Sequence, residues 1–484
     1  MKLLLLGHDC RYALEQLCLC LFPDHKPEYT EEPFTGDGVV SALWTTETGA
    51  LARAEIRLDG RVAIAEQAFQ GESLSEPMRR QILRQSLYLA ALELLPEAPA
   101  WGALSGVRPT KLTTRHLLSG GDEASADRLL DETYFVSPVR RKLCIDSSLA
   151  TVQAMQLLDA RDLSVYLGIP FCPTRCAYCS FVSQAIGRSG KLLSPYLEAL
   201  LKEVRFCGEE LKKTGHRVRT LYIGGGTPTT LSAEQLDVLM GAIEESFDLS
   251  ALLEYTVEGG RPDTLDEEKL RVIHSHGCTR ISINPQTMCD EVLQAVGRTH
   301  TAEDVCRAFR QAREAGFTNI NMDLIAGLPG DTPDRFRDSL ARVMDLDPEN
   351  ITVHTLARKR SSDLFFEKVG LPDDEAVGEM VDYSIKTLQN GNFKPYYLYR
   401  QKYMSGSFEN TGWTKPGYPG LYNIYMMEEV HTILSLGSGG MSKLNLPGGK
   451  LERQHNPKYP KEYTERIDLV IEQKRDFFRS LAAL

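Results

Sequence analysis

Between residues 163 and 357 the chain alternates short apolar runs with longer amphipathic stretches, and this alternation limits the available folds more than any other feature. LSVYLGI (163–169), RTLYIGG (219–225), LEYTVEG (253–259), TRISINP (279–285), TNINMDLIAG (318–327) and ITVHTLA (351–357) read as strands. Helical periodicity covers 194–213, 230–247, 266–276, 288–295, 301–315 and 333–346, with Ser232 placed to cap the second of these. Six strand–helix units in succession imply a parallel sheet with right-handed crossovers. That is an α/β fold built on an open or closed (β/α)6 barrel, whose site lies at the C-terminal strand ends.

The flanks read differently. Residues 1–95 form a small α+β unit: LLLLG is a strand, 13–22 is helical, and 76–95 is the longest early helix. Within it, ARAEIRLDGRVAIAEQAF is a hairpin turning at Asp59-Gly60. The unit holds no Cys, His or carboxylates at ligand spacing, so it is expected to carry no catalytic group. Pro96, Pro99 and WGALSGVRPTK mark a boundary, and 96–162 reads as a helical linker to the barrel core at 163–365. In 366–484 the periodicity weakens. FKPYYLYRQKYMSGSFENTGWTKPGYPGLYNIYMME is rich in Tyr, Gly and Pro, and reads as an irregular substrate-side extension. Its aromatics suit a pocket wall, and a plain surface extension explains them equally.

Net charge is −11 with no long Lys/Arg block, which excludes the electrostatic footprint of a dedicated nucleic-acid binder. No apolar run approaches the ~18–20 residues of a membrane helix. The opening MKLLLLGHDC meets His8 and Asp9 too early for a secretory core, so the expectation is a cytoplasmic protein with no membrane partner. Most of the eleven cysteines are scattered, unlike a disulfide scaffold. Cys172, Cys176 and Cys179 are the exception, falling together in YLGIPFCPTRCAYCSF directly after the first barrel strand. Three thiolates on one short loop can wrap an iron–sulfur cubane and leave one iron open to a ligand. A zinc site is the rival, although no nearby His or Cys supplies a fourth ligand at the usual spacing. Three unrelated buried cysteines are the other alternative.

C-x3-C-x2-C with Tyr178 before the last cysteine, followed by IGGGTPT after the second strand, resembles the radical S-adenosylmethionine (SAM) superfamily. More closely, Y-x-x-I-P-F-C, GGGTPT, NPQT, GRTHT, MDLIAGLPGDT and LARKR, in that order, resemble the oxygen-independent coproporphyrinogen III oxidase/dehydrogenase family over about 163–445. VEGGRPDT, RISINPQT, LSLGSGGMSK and the long N-terminal part resemble its HemZ-type branch of Gram-positive bacteria. The resemblance implies a 4Fe–4S cluster on Cys172, Cys176 and Cys179, with SAM as the second cofactor. It implies SAM contacts at Tyr166, ending the first strand, and at Tyr178, whose backbone meets the adenine. Gly225, Gly226 and Thr227 would receive the methionine amino group. Glu258 ends the third strand, Gln286 follows the fourth, and Asp323 lies in the fifth. Arg298, on a helix–loop, suits the SAM carboxylate by its planar fork. Ala357, ending the sixth strand, would meet the adenine. No side chain is singled out as catalytic.

The chain also departs from the family pattern. Phe181 stands where the better-known branch has a fourth cysteine, and Gly168 where it has a histidine. A related haem-chaperone branch carries H-N-x-x-Y, whereas this chain has Leu421-Tyr422-Asn423-Ile424-Tyr425. The implied activity is oxidative decarboxylation of coproporphyrinogen III propionates to vinyls. An electron donor such as flavodoxin or ferredoxin would serve the cluster. Arg358, Lys359, Arg360, Arg400 and Lys402 are candidate partners for the carboxylates of the tetrapyrrole. A haem-binding chaperone and another radical SAM reaction on a tetrapyrrole remain alternatives.

Overall fold

A computed structural model describes the chain apart from residues 72, 358–361, 363–369 and 402–404. The chain divides into two compact units, Met1–Asp146 with Arg400–Phe408, and Ser147–Tyr399 with Glu409–Leu484.

The first unit is built on strands β1 (Lys2–Leu6), β2 (Glu28–Thr30), β3 (Gly38–Thr46), β4 (Gly49–Leu58) and β5 (Arg61–Gln70), ordered β2-β1-β3-β4-β5. β1 runs parallel to both neighbours, and β3 to β5 form an antiparallel meander. Asp59 and Gly60 turn the last hairpin with φ of 49° and 75°, the left-handed pair that a tight hairpin loop needs. Along β4 every second residue (Ala50, Ala52, Ala54, Ile56) is buried, and helices Arg11–Leu21 and Glu76–Leu92 contribute Leu14, Leu17, Leu83 and Leu87 to the same core.

In the second unit β6 (Asp162–Ile169) leads into a two-stranded ribbon, β7 (Phe171–Cys172) with β8 (Gln184–Ala185). Then follow β9 (Arg217–Gly225), β10 (Glu254–Gly260), β11 (Arg280–Ile283), β12 (Ile320–Ala326) and β13 (Asn350–Thr355). These six long strands lie side by side in chain order and all parallel. Helices Leu193–Thr214, Ala233–Ser246, Glu267–Ser275, Asp290–Ala295, Ala302–Glu314 and Pro333–Asp345 alternate with them, as the periodicity predicts. Ser232 and Gln235 close a reciprocal capping box on the second helix.

The C-terminal stretch is more regular than its sequence suggests. β14 (Lys394–Arg400), β15 (Glu409–Thr414), β16 (Thr432–Leu436), β17 (Met441–Leu446) and β18 (Lys450–His455) extend the same sheet at both edges, to eleven strands. β16 adds in parallel to β6, and β15 adds antiparallel to β13. An open parallel sheet leaves unpaired backbone at its edges, and these segments satisfy it. Helices Asp374–Asn390, Leu421–Glu428 and Ile467–Ala482 complete this part. Among the described residues no helix is long and apolar enough to cross a membrane.

Candidate functional site

Past Ile169 the chain enters β7 with Cys172, wraps through Cys176 and Cys179, and returns on β8. The Cys179 amide donates to the Cys176 carbonyl at 3.0 Å, and the Gln184 amide to the Pro170 carbonyl at 2.9 Å. The loop is irregular but firmly held. The Ala177 amide donates to the Val296 carbonyl at 3.0 Å, and Thr174 Oγ1 to the Gly297 carbonyl at 3.2 Å. Arg261, buried in the loop after β10, donates to Thr174 Oγ1 at 2.6 Å, to Thr299 Oγ1 at 3.1 Å, and bidentately to Asp263 at 2.9 and 2.7 Å. One guanidinium thereby ties the cysteine loop to two neighbouring strand-end loops. Sequence reasoning missed it, because the only signal was the string VEGGRPDT.

The glycine motif closes against the same loop. The Gly226 amide donates to the Ile169 carbonyl at 2.8 Å, and the Thr227 amide to the Phe171 carbonyl at 2.7 Å. A Cβ on Gly226 would lie 2.5 Å from the Phe171 oxygen and 3.0 Å from Cys172 Sγ, so only glycine fits. Gly225 has φ of +116°, and its amide donates to Glu258 Oε2 at 3.2 Å. Thr227 Oγ1 sits 3.5 Å from Cys172 Sγ. Burial pushes the Cys172 and Cys179 thiols up from their ordinary values.

Of the remaining residues, Glu258 lies near the end of β10 and Gln286 beyond β11, while Asp323 lies in mid-β12, three residues before its end. Glu258 accepts from Tyr222 Oη at 2.5 Å, and burial lifts its carboxyl to about 7, with Asp323 adding to the rise. Burial would raise Asp323 as well. Hydrogen bonding to His354, Asn321 and Thr352 outweighs that and holds it below the usual carboxylate range. Gln286 adopts φ of +69°, its amide donating to the Asp323 carbonyl at 2.8 Å and its carbonyl accepting from Ile325 at 2.9 Å. Arg298 is buried beside Tyr178 and Cys176. Burial would lower its pKa, but those two neighbours raise it. Its Nη1 donates to the Asn284 carbonyl at 2.7 Å, while its Nε finds no partner among the described residues. Tyr178 packs on the apolar cluster of Val292, Val296, Ile325, Leu328 and Leu356.

Several positions differ from expectation. Tyr166 lies in mid-β6, three residues before its end, where it stacks 6.0 Å from Tyr222 and 6.1 Å from Tyr422, which are themselves 4.6 Å apart. Glu258 is followed by two more residues of β10. Ala357 falls beyond β13, which stops at Thr355, where the Asn410 side chain takes the strand's amide at 2.9 Å. Arg400 is buried in the first unit, donating to the Leu104 and Ser407 carbonyls over the Trp101 ring, and is not presented as a cation for substrate. Arg358, Lys359, Arg360 and Lys402 lie outside the described residues.

These residues fit an iron–sulfur cluster with SAM beside it. The three thiols are free, Gly226 gives the backbone close approach to Cys172, and Arg298 keeps a buried donor for an anion. Among the described residues no three His, Cys, Asp or Glu side chains converge as one bound ion requires. A cubane instead asks each thiolate for its own iron.

Residues 166–343 match the model of the radical SAM superfamily. The chain is 39% identical over 466 residues to the oxygen-independent coproporphyrinogen-III oxidase-like protein HemZ of Bacillus subtilis, covering 93% of this chain and 92% of that protein. It is 31% identical over 283 residues to the haem chaperone HemW of Lactococcus lactis, covering 57% and 69%. The solved coproporphyrinogen III oxidase (HemN) of Escherichia coli, described as a radical SAM enzyme, aligns with a TM-score of 0.53 at 26% identity, over 67% of this chain and 73% of that one. With a likeness running nearly end to end in both proteins, this chain belongs to the radical SAM superfamily and, within it, to the oxygen-independent coproporphyrinogen-III oxidase-like proteins.

Proposed function

We propose that the protein decarboxylates coproporphyrinogen III without oxygen, turning two propionates into vinyls to give protoporphyrinogen IX. The observation that carries this reading is the near-full-length likeness to a coproporphyrinogen-III oxidase-like relative. Cys172, Cys176 and Cys179 would hold the 4Fe–4S cluster. Tyr166, Tyr178, Gly225, Gly226, Thr227, Glu258, Gln286, Arg298, Asp323 and Ala357 would hold SAM. Held there, the cluster and SAM would supply one-electron cleavage of SAM and, through it, abstraction of a β-hydrogen from a propionate.

The chain's own residues bind, orient and exclude water. The unpartnered Nε of Arg298 suits the carboxylate of the SAM methionine. Asp323, held ionised, and Glu258, held near neutrality, can respectively accept hydrogen bonds and keep a proton at one site. The stacked Tyr166, Tyr222 and Tyr422 fill the interior below them against water. Each propionate side chain loses a β-hydrogen atom, CO2 and one electron to become a vinyl, so turnover needs an electron acceptor as well as a donor such as flavodoxin or ferredoxin.

A haem-binding chaperone is the second reading, favoured by the likeness to HemW. Against it, the 421–425 stretch is helical and closed. Tyr422 is 5% exposed, and the Leu421 and Tyr422 amides donate to Glu254 at 2.6 and 3.2 Å. Anaerobic incubation with SAM, dithionite and coproporphyrinogen III, followed by mass spectrometry, separates the readings. Vinyl products should rise together with 5′-deoxyadenosine. Intact propionates there, with stable haem retention in a parallel incubation with haem, would leave the chaperone.

A further inference from the structure

A cleft enclosing about 680 Å³, solvent mouth included, opens between the ends of β6 and β9 and the turn after β16. Gly168, Phe181 and Lys458 line it beside Tyr166, Gly225 and Gly226, which would also contact SAM, and no described carboxylate lines it. Gly168 and Phe181, two of the departures from the family pattern and 13 positions apart in sequence, thus meet on one wall. Resting on the function proposed above, we infer that this cleft receives a propionate-bearing part of the tetrapyrrole, with Lys458 as the cation that takes the carboxylate.

Charge is the first argument. Among the described residues Lys458 is the only charged one lining the cleft, it is exposed, and no described carboxylate lies within ion-pair distance of it. An unpaired ammonium at the mouth of a cleft without acids favours an organic anion over a cation or neutral polar ligand.

Shape is the second. Phe181 is 69% exposed although fully apolar, so it presents an uncovered ring beside the cysteine loop. Position 168 carries no side chain. A Cβ there would stand 3.3 Å from the Ser438 carbonyl, and anything larger would grow into the space beside Tyr166. An open glycine wall, an aromatic face and one cation suit a flat, largely apolar molecule with a carboxylate arm.

The third argument is rigidity. The Gly437 amide and Asn456 Nδ2 donate to buried Glu203 at 2.8 and 2.9 Å, and Tyr463 Oη donates to it at 2.5 Å, with the Lys474 ammonium 3.7 Å away. Tyr196 Oη donates to the Gly168 carbonyl at 2.5 Å and accepts from the Ser438 amide at 3.0 Å, tying both walls together. Ser438 Oγ and the Gly439 amide donate to the Lys458 and Pro457 carbonyls at 2.9 and 2.8 Å, which fixes the backbone carrying the lysine. A glycine-rich turn anchored by so many buried bonds is a built wall.

The test is a fluorescence titration of the reconstituted holoprotein with coproporphyrin III, the aromatic and non-reacting form of the substrate, with no reductant present. Lys458→Glu should weaken binding by about tenfold or more, Lys458→Arg should bind within a few-fold of wild type, and Lys461→Glu, nearby on the surface, should match wild type. Wild-type binding with an unchanged Lys458→Glu variant would overturn the assignment of Lys458 alone. A wild-type protein that binds no coproporphyrin III would overturn the functional reading, and this assignment with it.

Discussion

The two sheets of this protein bury opposite kinds of residue. In the first unit, β4 turns Ala50, Ala52, Ala54 and Ile56 inward, and Leu14, Leu17, Leu83 and Leu87 pack around them, with Ser41, Gln85 and Ser86 also buried in the same elements. In the second, one face of the parallel strands buries Ser164, Thr220, Thr256, Ser282, Asn321 and Thr352, and the same register carries Glu258 and Asp323. The first arrangement gains transfer free energy from each residue it hides. The second gives up that gain and must satisfy each polar group. Ser164 Oγ lies 2.6 Å from Thr220 Oγ1, Asn321 Nδ2 donates to Ser282 Oγ at 2.7 Å, and Thr352 Oγ1 donates to Asn321 Oδ1 at 3.2 Å. A polar interior kept at that cost, and opening at its upper end toward Glu258 and Asp323, is a sheet shaped for a ligand.

That contrast predicts mutational effects of opposite character. The largest is expected in the apolar core. Leu83, fully buried there, should cost about 2–5 kcal/mol of stability when changed to Ala, with iron content after reconstitution unchanged. Denaturant unfolding and iron analysis check both halves, and a variant that folds but loads no cluster would break the contrast.

A smaller effect, dependent on pH, is expected in the polar interior. The Glu258 carboxyl is lifted to about 7, so the unfolded chain releases its proton at lower pH than the folded one. Between the ordinary glutamate value and about 7 the folded state holds the extra proton, and stability falls as pH rises through that window. It levels off above it. The loss should be on the order of 3 kcal/mol in the apoprotein. Glu258→Gln should remove that slope. Parallel pH profiles for the two proteins would remove Glu258 as its source.

The two regions also differ in how far their sequences disclosed them. The parallel core was legible because short strand-like runs alternate with helical periodicity and Ser232 marks one helix start. The cysteine loop and the glycine motif were legible because the ligand spacing and the need for bare backbone leave few alternatives. The outer strands were not. ENTGWT in β15 and KLERQH in β18 join the sheet through backbone bonds that do not depend on their mixed side chains. The Tyr166–Tyr222–Tyr422 stack, the Arg261 tie and the Lys458 cleft each join residues far apart in sequence, so only the topology reveals them. The left-handed Gln286 was hidden for another reason: nothing in Gln signals a positive φ, which the surrounding bonds impose.

The central claim is that the polar strand ends and the cysteine loop form one cofactor site. Electron paramagnetic resonance of the reduced, anaerobically reconstituted protein, recorded with and without SAM, tests it most directly. The wild-type protein should hold about four irons and four sulfides per chain, and SAM should change the cluster signal, because three thiolates leave one iron open. Cys176→Ala should lose both the cluster and the response. A Cys176→Ala protein that kept a full cluster with the same SAM-induced change would contradict the account.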